Sequence, residues 1–168
     1  MGMRREAREK AVQFLFQHDL NPPENLEEAL NVFWESQRTT VLEAEKNHSA
    51  FDVAPAEIPP PTVAEATLRM FSEPLIRGVL DNLGEIDTAI KKVALNWDIA
   101  RMAAVDRNIL RLAVHEMLHR QDIPPVVSIN EAVDIAKKFS TDDSGKFVNG
   151  LLDKIKGELL RNTRYTNS

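Results

Sequence analysis

Residues 105–118 read VDRNILRLAVHEML and residues 123–155 read IPPVVSINEAVDIAKKFSTDDSGKFVNGLLDKI. In the first stretch Val105, Ile109, Ala113 and Met117 recur every four residues, which places them on one stripe of a helix. In the second, Ile129, Ala132, Val133 and Ala136 form a like stripe at i, i+3, i+4 and i+7. Val148, Leu151, Leu152, Ile155 and Leu159 continue the pattern with spacings of three and four. Pro124-Pro125 separates the two stretches because proline lacks a backbone donor and restricts its predecessor. Ser128-x-x-Glu131 matches a capping box that would open the middle helix, and Asp142, Asp143 or Ser144 would cap the last one. No alternating pattern competes, so the fold class reads as all-α.

The same period extends outward. Ala7, Ala11, Phe14 and Leu15 predict a first helix from about Arg4 to Asp19, stopped by Asn21-Pro22-Pro23. Leu26, Leu30, Phe33 and Trp34 predict a second, from about Glu24 to Glu45. Thr62-x-x-Glu65 is a further capping box. Helix is expected from there to Leu95, with a restart or kink at Pro74. A short helical turn follows Trp97-Asp98, and a strong helix spans about Asp106 to Arg120. The sum is a bundle of about six to seven helices. Residues 47–61, with Pro55, Pro59, Pro60 and Pro61 among Ser, Asp and Ala, read as a flexible connection inside a single domain spanning 1–168.

The 168 residues suffice to bury roughly 70% of the unfolded surface without a staple. None is available through sulfur, since there is no cysteine; thiolate catalysis, Cys-ligated zinc and Fe–S clusters are excluded. The net charge of −5 argues against a protein that coats nucleic acid uniformly. Residues 1–10 nevertheless carry +2 and residues 154–168 carry +3, leaving −10 for the residues between. Gln13, Gln17, His18 and Asp19 interrupt the only apolar run that follows the N-terminal arginines, so it does not read as a secretory signal. No stretch approaches 18 uninterrupted apolar residues. A cytoplasmic location is expected.

Three constellations invite chemistry. His115-Glu116-Met117-Leu118-His119 has the spacing with which two histidines on one helix face chelate zinc while the glutamate activates water. A small zinc-dependent hydrolase is thus one reading. Against it, His115 and His119 share an arc with Asn108, Arg111 and Arg101, which reads as a solvent-facing polar stripe, and no third ligand sits on a predicted wall. Ser144-Gly145-Lys146 lacks the first glycine and the hydroxyl of a phosphate loop. Arg4, Arg5 and Arg8, with Lys10, form the third: guanidinium forks three and four residues apart can reach successive phosphates. Phe16 and Phe147 fall off the main stripes of their helices and could stack on unpaired bases.

RREAREKAVQFLFQHDL (4–20) together with the two stretches quoted first resembles the NusB family of transcription antitermination factors, over about two-thirds of the chain. The resemblance implies two packed helical subdomains and a non-enzymatic factor without cofactor or metal. It implies binding of the single-stranded boxA element of nascent ribosomal RNA transcripts, jointly with a small-subunit ribosomal protein, within the antitermination complex of RNA polymerase. RNA-binding residues would be Arg4, Arg5, Arg8, Phe16, Lys146 and Phe147; Asp106 and Asp143 would face the protein partner. Glu6 stands where compact relatives carry a further arginine, and Phe16 where tyrosine is common. Glu116 would be a structural carboxylate. Self-association of some relatives, covering the RNA surface, would make a homodimer a further state. A helical protein-interaction module that binds no RNA is the remaining alternative.

Overall fold

A computed structural model describes residues 2–46 and 60–166. Among these it contains seven α-helices and no strand: α1 Met3–Leu20, α2 Leu26–Lys46, α3 Val63–Asp81, α4 Leu83–Val93, α5 Ala104–His119, α6 Pro125–Phe139 and α7 Asp142–Thr166. A single 3-10 turn, Ile99–Arg101, precedes α5. Most of the predicted connection at 47–61 lies outside the described residues. No helix among those described is long and apolar enough to cross a membrane.

The helices pack as two groups around α5. Helix α1 lies on α3 and is covered by the aromatic side of α2; α4, α6 and α7 gather on the other flanks of α5, which also touches α1 and α3. Phe14 of α1 meets Phe33 of α2 edge-on, with centroids 5.5 Å apart, and Phe33 meets Trp34 likewise at 5.2 Å. The buried apolar residues predicted on α1, α6 and α7 all enter one core with Ile76, Val79, Ile86, Ile90, Ile109 and Leu110, except Val133 and Leu159, which are half-buried at its margin. Ser72 of α3 donates to the Ala7 carbonyl of α1 at 2.9 Å, a buried cross-link between the helices.

Local chemistry sets the helix ends. Asn25 caps α2 by accepting from the Glu28 amide at 3.0 Å. Thr62 caps α3 by accepting from the Glu65 amide at 3.1 Å, while the Glu65 carboxylate turns away to Arg38. Pro74 sits inside α3, which continues through it. The missing donor orphans the carbonyl of Met70, a residue on the exposed side where water can serve it. The expected run from Thr62 to Leu95 is instead two helices. Asn82 ends α3 by returning its side-chain amide to the Gly78 carbonyl at 2.8 Å. Helix α6 begins three residues before the expected capping box, with Pro125 in the first turn, where a fixed φ and a missing N–H cost nothing. Ser128 is consequently interior and buried. Thr141, rather than Asp142, Asp143 or Ser144, caps α7 by accepting from the Ser144 amide at 3.1 Å.

The largest departure concerns the polar stripe of α5. Asn108, Arg111 and His115 are all buried rather than solvent-facing, because α5 is surrounded on every side. His115, 5% exposed, lies flat against Gly78 of α3. A Cβ there would stand 3.0 Å from its Nδ1 and closer still to Cε1 and Nε2, so only glycine allows this approach. Burial, with help from the neighbouring His119 and Arg120, pushes the imidazole down to about 4, although Glu85 pulls the other way.

Two outcomes follow from this contact. Gly78→Ala should cost about 1–3 kcal/mol in urea denaturation through overpacking, and His115→Ala in the same chain should return part of that loss. The depressed His115 pKa also means that the unfolded chain takes up this proton first. Its stabilising share is present above pH 6.5 and disappears as pH falls towards 4, at most about 3 kcal/mol. The stability difference between the parent and His115→Ala should therefore shrink between pH 7 and pH 4.5.

Candidate nucleic-acid interface

Helix α1 opens without a side-chain cap: Gly2 precedes it, and the Arg5 amide bonds the Gly2 carbonyl at 3.1 Å. Its three arginines point in three directions. Arg8, 6% exposed, runs inward to α5, where its Nε and Nη2 donate to the Glu116 carboxylate at 2.7–3.2 Å. Burial pushes the Glu116 carboxyl up, and the Arg8 guanidinium opposes it. Arg5 reaches sideways to α6, donating to Glu131 at 2.8 and 3.0 Å and to Asp134 at 2.9 Å. The hydrogen bond to Glu131, reinforced by its charge, raises the Arg5 pKa and lowers that of Glu131. Arg4 remains exposed and stands over the Phe71 ring of α3, 5.8 Å from its centroid. It makes no ion pair among the described residues.

Helix α6 joins this edge to the start of α7. Lys138 bridges back to Glu9 of α1 at 2.9 Å. Lys137 lies across the first turn of α7, where a Cβ on Gly145 would come within 3.0 Å of the lysine Cγ. Lys146 follows on the exposed side and Phe147 is half-buried beside it. Phe147 meets Trp97 edge-on at 5.2 Å and 64°. Lys137, Lys138 and Trp97 were missed by sequence reasoning. The lysines read as an ordinary solvated helix face, whereas Trp97, 58% exposed in the link before α5, carried a signal as an aromatic outside any stripe. Phe16 is not brought together with these residues. It lines a separate groove of about 500 Å³ with His18, Leu20, Pro23, Val32 and Phe33.

Of the two acidic residues assigned to a protein partner, Asp106 is tied to the first turn of α7 and Asp143 belongs to that turn. Ser144 donates to the Asp106 Oδ2 at 3.1 Å, and Asp143, its neighbour, is exposed. Asp106 is buried with Oδ1 unpartnered, and burial raises its pKa despite the Ser144 bond.

The histidine pair is built otherwise than a zinc site requires. The rings of His115 and His119 lie 5.5 Å apart, His119 contacts Glu85 at 3.2 Å, and Glu116 is committed to Arg8 of α1. Among the described residues no group of three or more His, Asp or Glu is arranged to hold a metal.

Comparison with known proteins bears on the family and the fold. The NusB family model matches residues 5–156. The transcription antitermination protein NusB of Geobacter sp. (strain M21) is 40% identical over 158 residues, covering 92% of this chain and 94% of that protein. That of Chloroherpeton thalassium is 49% identical over 107 residues, 64% of this chain but only about half (51%) of the longer relative. Among solved structures, the antitermination factors NusB and NusE in complex with dsRNA include a chain similar to this one. It has a TM-score of 0.65 and 29% identity, covering 92% of this chain and 96% of that one.

The geometry separates Arg8 from Arg4 in a measurable way. Removing one partner of a buried ion pair leaves the other charge uncompensated, so Arg8→Ala or Glu116→Ala should lose about 3–5 kcal/mol. Replacing both by apolar residues of similar volume should recover much of it. Arg4→Ala should change the urea midpoint by no more than about 0.5 kcal/mol equivalent.

Proposed function

We propose, for a chain that belongs to the NusB family of transcription antitermination factors, that it binds the single-stranded boxA element of nascent ribosomal RNA transcripts together with a small-subunit ribosomal protein. The observation that carries this reading is the basic edge that runs from the start of α1, along the end of α6, to the start of α7. It presents Arg4, Lys137 and Lys146 with the Phe147–Trp97 pair beside them. Cations supply phosphate contacts and aromatic faces take unpaired bases, which is the chemistry of single-strand recognition.

Residue roles within this proposal are graded by burial. Arg4 and Lys146 make phosphate contacts directly. Arg5 does so by exchanging half-exposed carboxylates for phosphate. Arg8 contributes by holding α1 on α5. Phe147 stacks on a base, and Phe16, twelve residues along α1 from Arg4 and so about 18 Å away, is a second stacking position in its own groove, off this edge. The exposed Asp143 faces a basic protein partner, Asp106 lies buried behind it and holds the first turn of α7 through Ser144, and the acidic remainder of the chain repels RNA from other surfaces. The solved complex of NusB and NusE with dsRNA supports a protein partner and an RNA partner for a chain of this fold. The family assignment and the Arg8–Glu116 pair together replace the hydrolase reading, since the glutamate such an enzyme needs is spent on holding the fold.

The test is a salt titration of binding to a boxA-like single-stranded RNA, with and without the ribosomal partner. Three to four phosphate contacts give a slope of log affinity on log salt of about −2 to −3. The double variant Arg4→Ala/Lys146→Ala should weaken binding, flatten the slope by about 1.4, and leave the melting temperature unchanged. Affinity that ignores salt, or survives the double variant intact, would overturn the site. Binding of the ribosomal protein without any RNA affinity would favour the interaction module.

A further inference from the structure

Beside the basic edge lies a feature that edge does not use. Phe71 of α3 is 37% exposed, although Leu68 and Leu75 on the same side of the helix are buried. It forms one wall of an open cleft between the start of α1 and the end of α5, lined also by Arg4, Arg8, Glu116, Arg120 and Ile123. Three arginines therefore share one cleft with an aromatic ring. Their charges are not equally committed. Arg8 is neutralised by Glu116 at the cleft floor. Arg120 pairs with Asp122 through two bonds of 3.1 Å at the rim. Arg4 alone makes no ion pair among the described residues, although its charge reaches Asp122 at the rim, and its contact with Phe71, at 5.8 Å, sits at the outer limit of cation–π attraction.

Resting on the RNA-binding reading above, we propose that this cleft is an additional nucleotide subsite, in which a base lies on the Phe71 ring and its phosphate is held by Arg4. The cavity, about 50 Å³, is too shallow to enclose a base, so the base lies across its mouth on the exposed ring face. Arg4 swings off the ring to meet the phosphate, exchanging a weak contact for a charge-assisted, two-donor one. The occupant is a nucleotide rather than an acidic peptide. A row of carboxylates would meet Glu116 at the floor and Asp122 at the rim with a single uncommitted cation between them. A flat neutral base with one phosphate meets neither penalty. The subsite lies on the α3 side of α1, opposite the α6 side that leads to Lys146, so it would lengthen the RNA track past the start of α1.

The experiment compares a boxA-like single-stranded RNA with the parent chain, Phe71→Leu, Phe71→Trp and Lys146→Ala. Phe71→Leu keeps apolar bulk but removes the stacking face, and should weaken binding about tenfold with an unchanged salt slope. Phe71→Trp should retain or strengthen it. Photocrosslinking from RNA carrying 5-iodouridine should label the α3 peptide that contains Phe71, a readout independent of variant folding. If Phe71→Leu binds like the parent while Lys146→Ala is weakened, or if the crosslinks avoid α3, the subsite is refuted and the RNA reading stands. If the parent chain binds no such RNA, with or without the ribosomal partner, both fall together.

Discussion

Helix α1 is fixed to α5 by ion pairs at both of its ends, and most of the molecule is arranged by that clamp. Near the start, Arg8 meets Glu116 in the last turn of α5. Near the end, Asp19 meets Arg107, Asn108 and Arg111 in the first turns. The pairing order makes the two helices antiparallel and sets their register, since slipping by one turn would strand a buried charge at each end. Burial works against the Asp19 carboxylate, but the Arg107 and Asn108 bonds and the Arg111 charge hold it below the usual carboxylate range. Arg107 also takes the carbonyls of Ile99 and Met102, and Arg111 takes Asp87 of α4. One acidic residue on α1 thus organises the 3-10 turn, α4 and α5. Buried pairs of this kind add little net stability over apolar packing, and their use here is to select one arrangement.

The clamp also decides what the basic start of α1 can do. With Arg8 drawn to α5, the helix is rotated so that Arg4 emerges over α3 and Arg5 over α6. A segment whose local composition suggests one cationic patch is divided into a structural residue, an exchangeable one and an exposed one. The chain can then be acidic overall and still present a basic edge. That edge does not depend on net charge but on α6, whose Lys137 and Lys138 bridge sequence segments more than a hundred residues apart.

Helices and core positions were legible because a helix with one buried stripe writes its period into the sequence. Legibility failed where a helix has no exposed side. Asn108, Arg111 and His115 share the polar arc of α5 and look solvent-facing on a wheel, yet each is buried against a residue of another helix, Asp19, Asp87 and Gly78 respectively. No local rule reveals that Asp19 and Asp87 wait there. Cap assignments failed where two signals competed. Pro125 outranks Ser128 because proline in a first turn forgoes no hydrogen bond, and Thr141 outranks the acids after it because its hydroxyl reaches the Ser144 amide. Asn82 was unreadable for the converse reason, since one asparagine between Asp81 and Leu83 carries no period. In the candidate site, Arg4, Lys146 and Phe147 were readable as residue types. Their connection through α6, and the inward turn of Arg8, depend on the packing of helices distant in sequence.

Burial then supplies the rule by which these arginines differ in function. A guanidinium can change partners only if leaving the first costs little. Arg8 and Glu116 are both shut away from water, so releasing either exposes an unpaired charge to a poorly solvating interior, and no phosphate outside can compensate. Arg5 and its acids are half-exposed, and such pairs are worth only about 0–1 kcal/mol, which a phosphate with a full negative charge can match. Arg4 has an aromatic ring and the more distant charge of Asp122 to leave, and no ion pair among the described residues. Along five residues of one helix the barrier to meeting a new anion therefore rises inward, from Arg4 through Arg5 to Arg8. A strand of RNA approaching α1 would meet the arginines in that order of availability, with the last one fixed so that the first two are held in place.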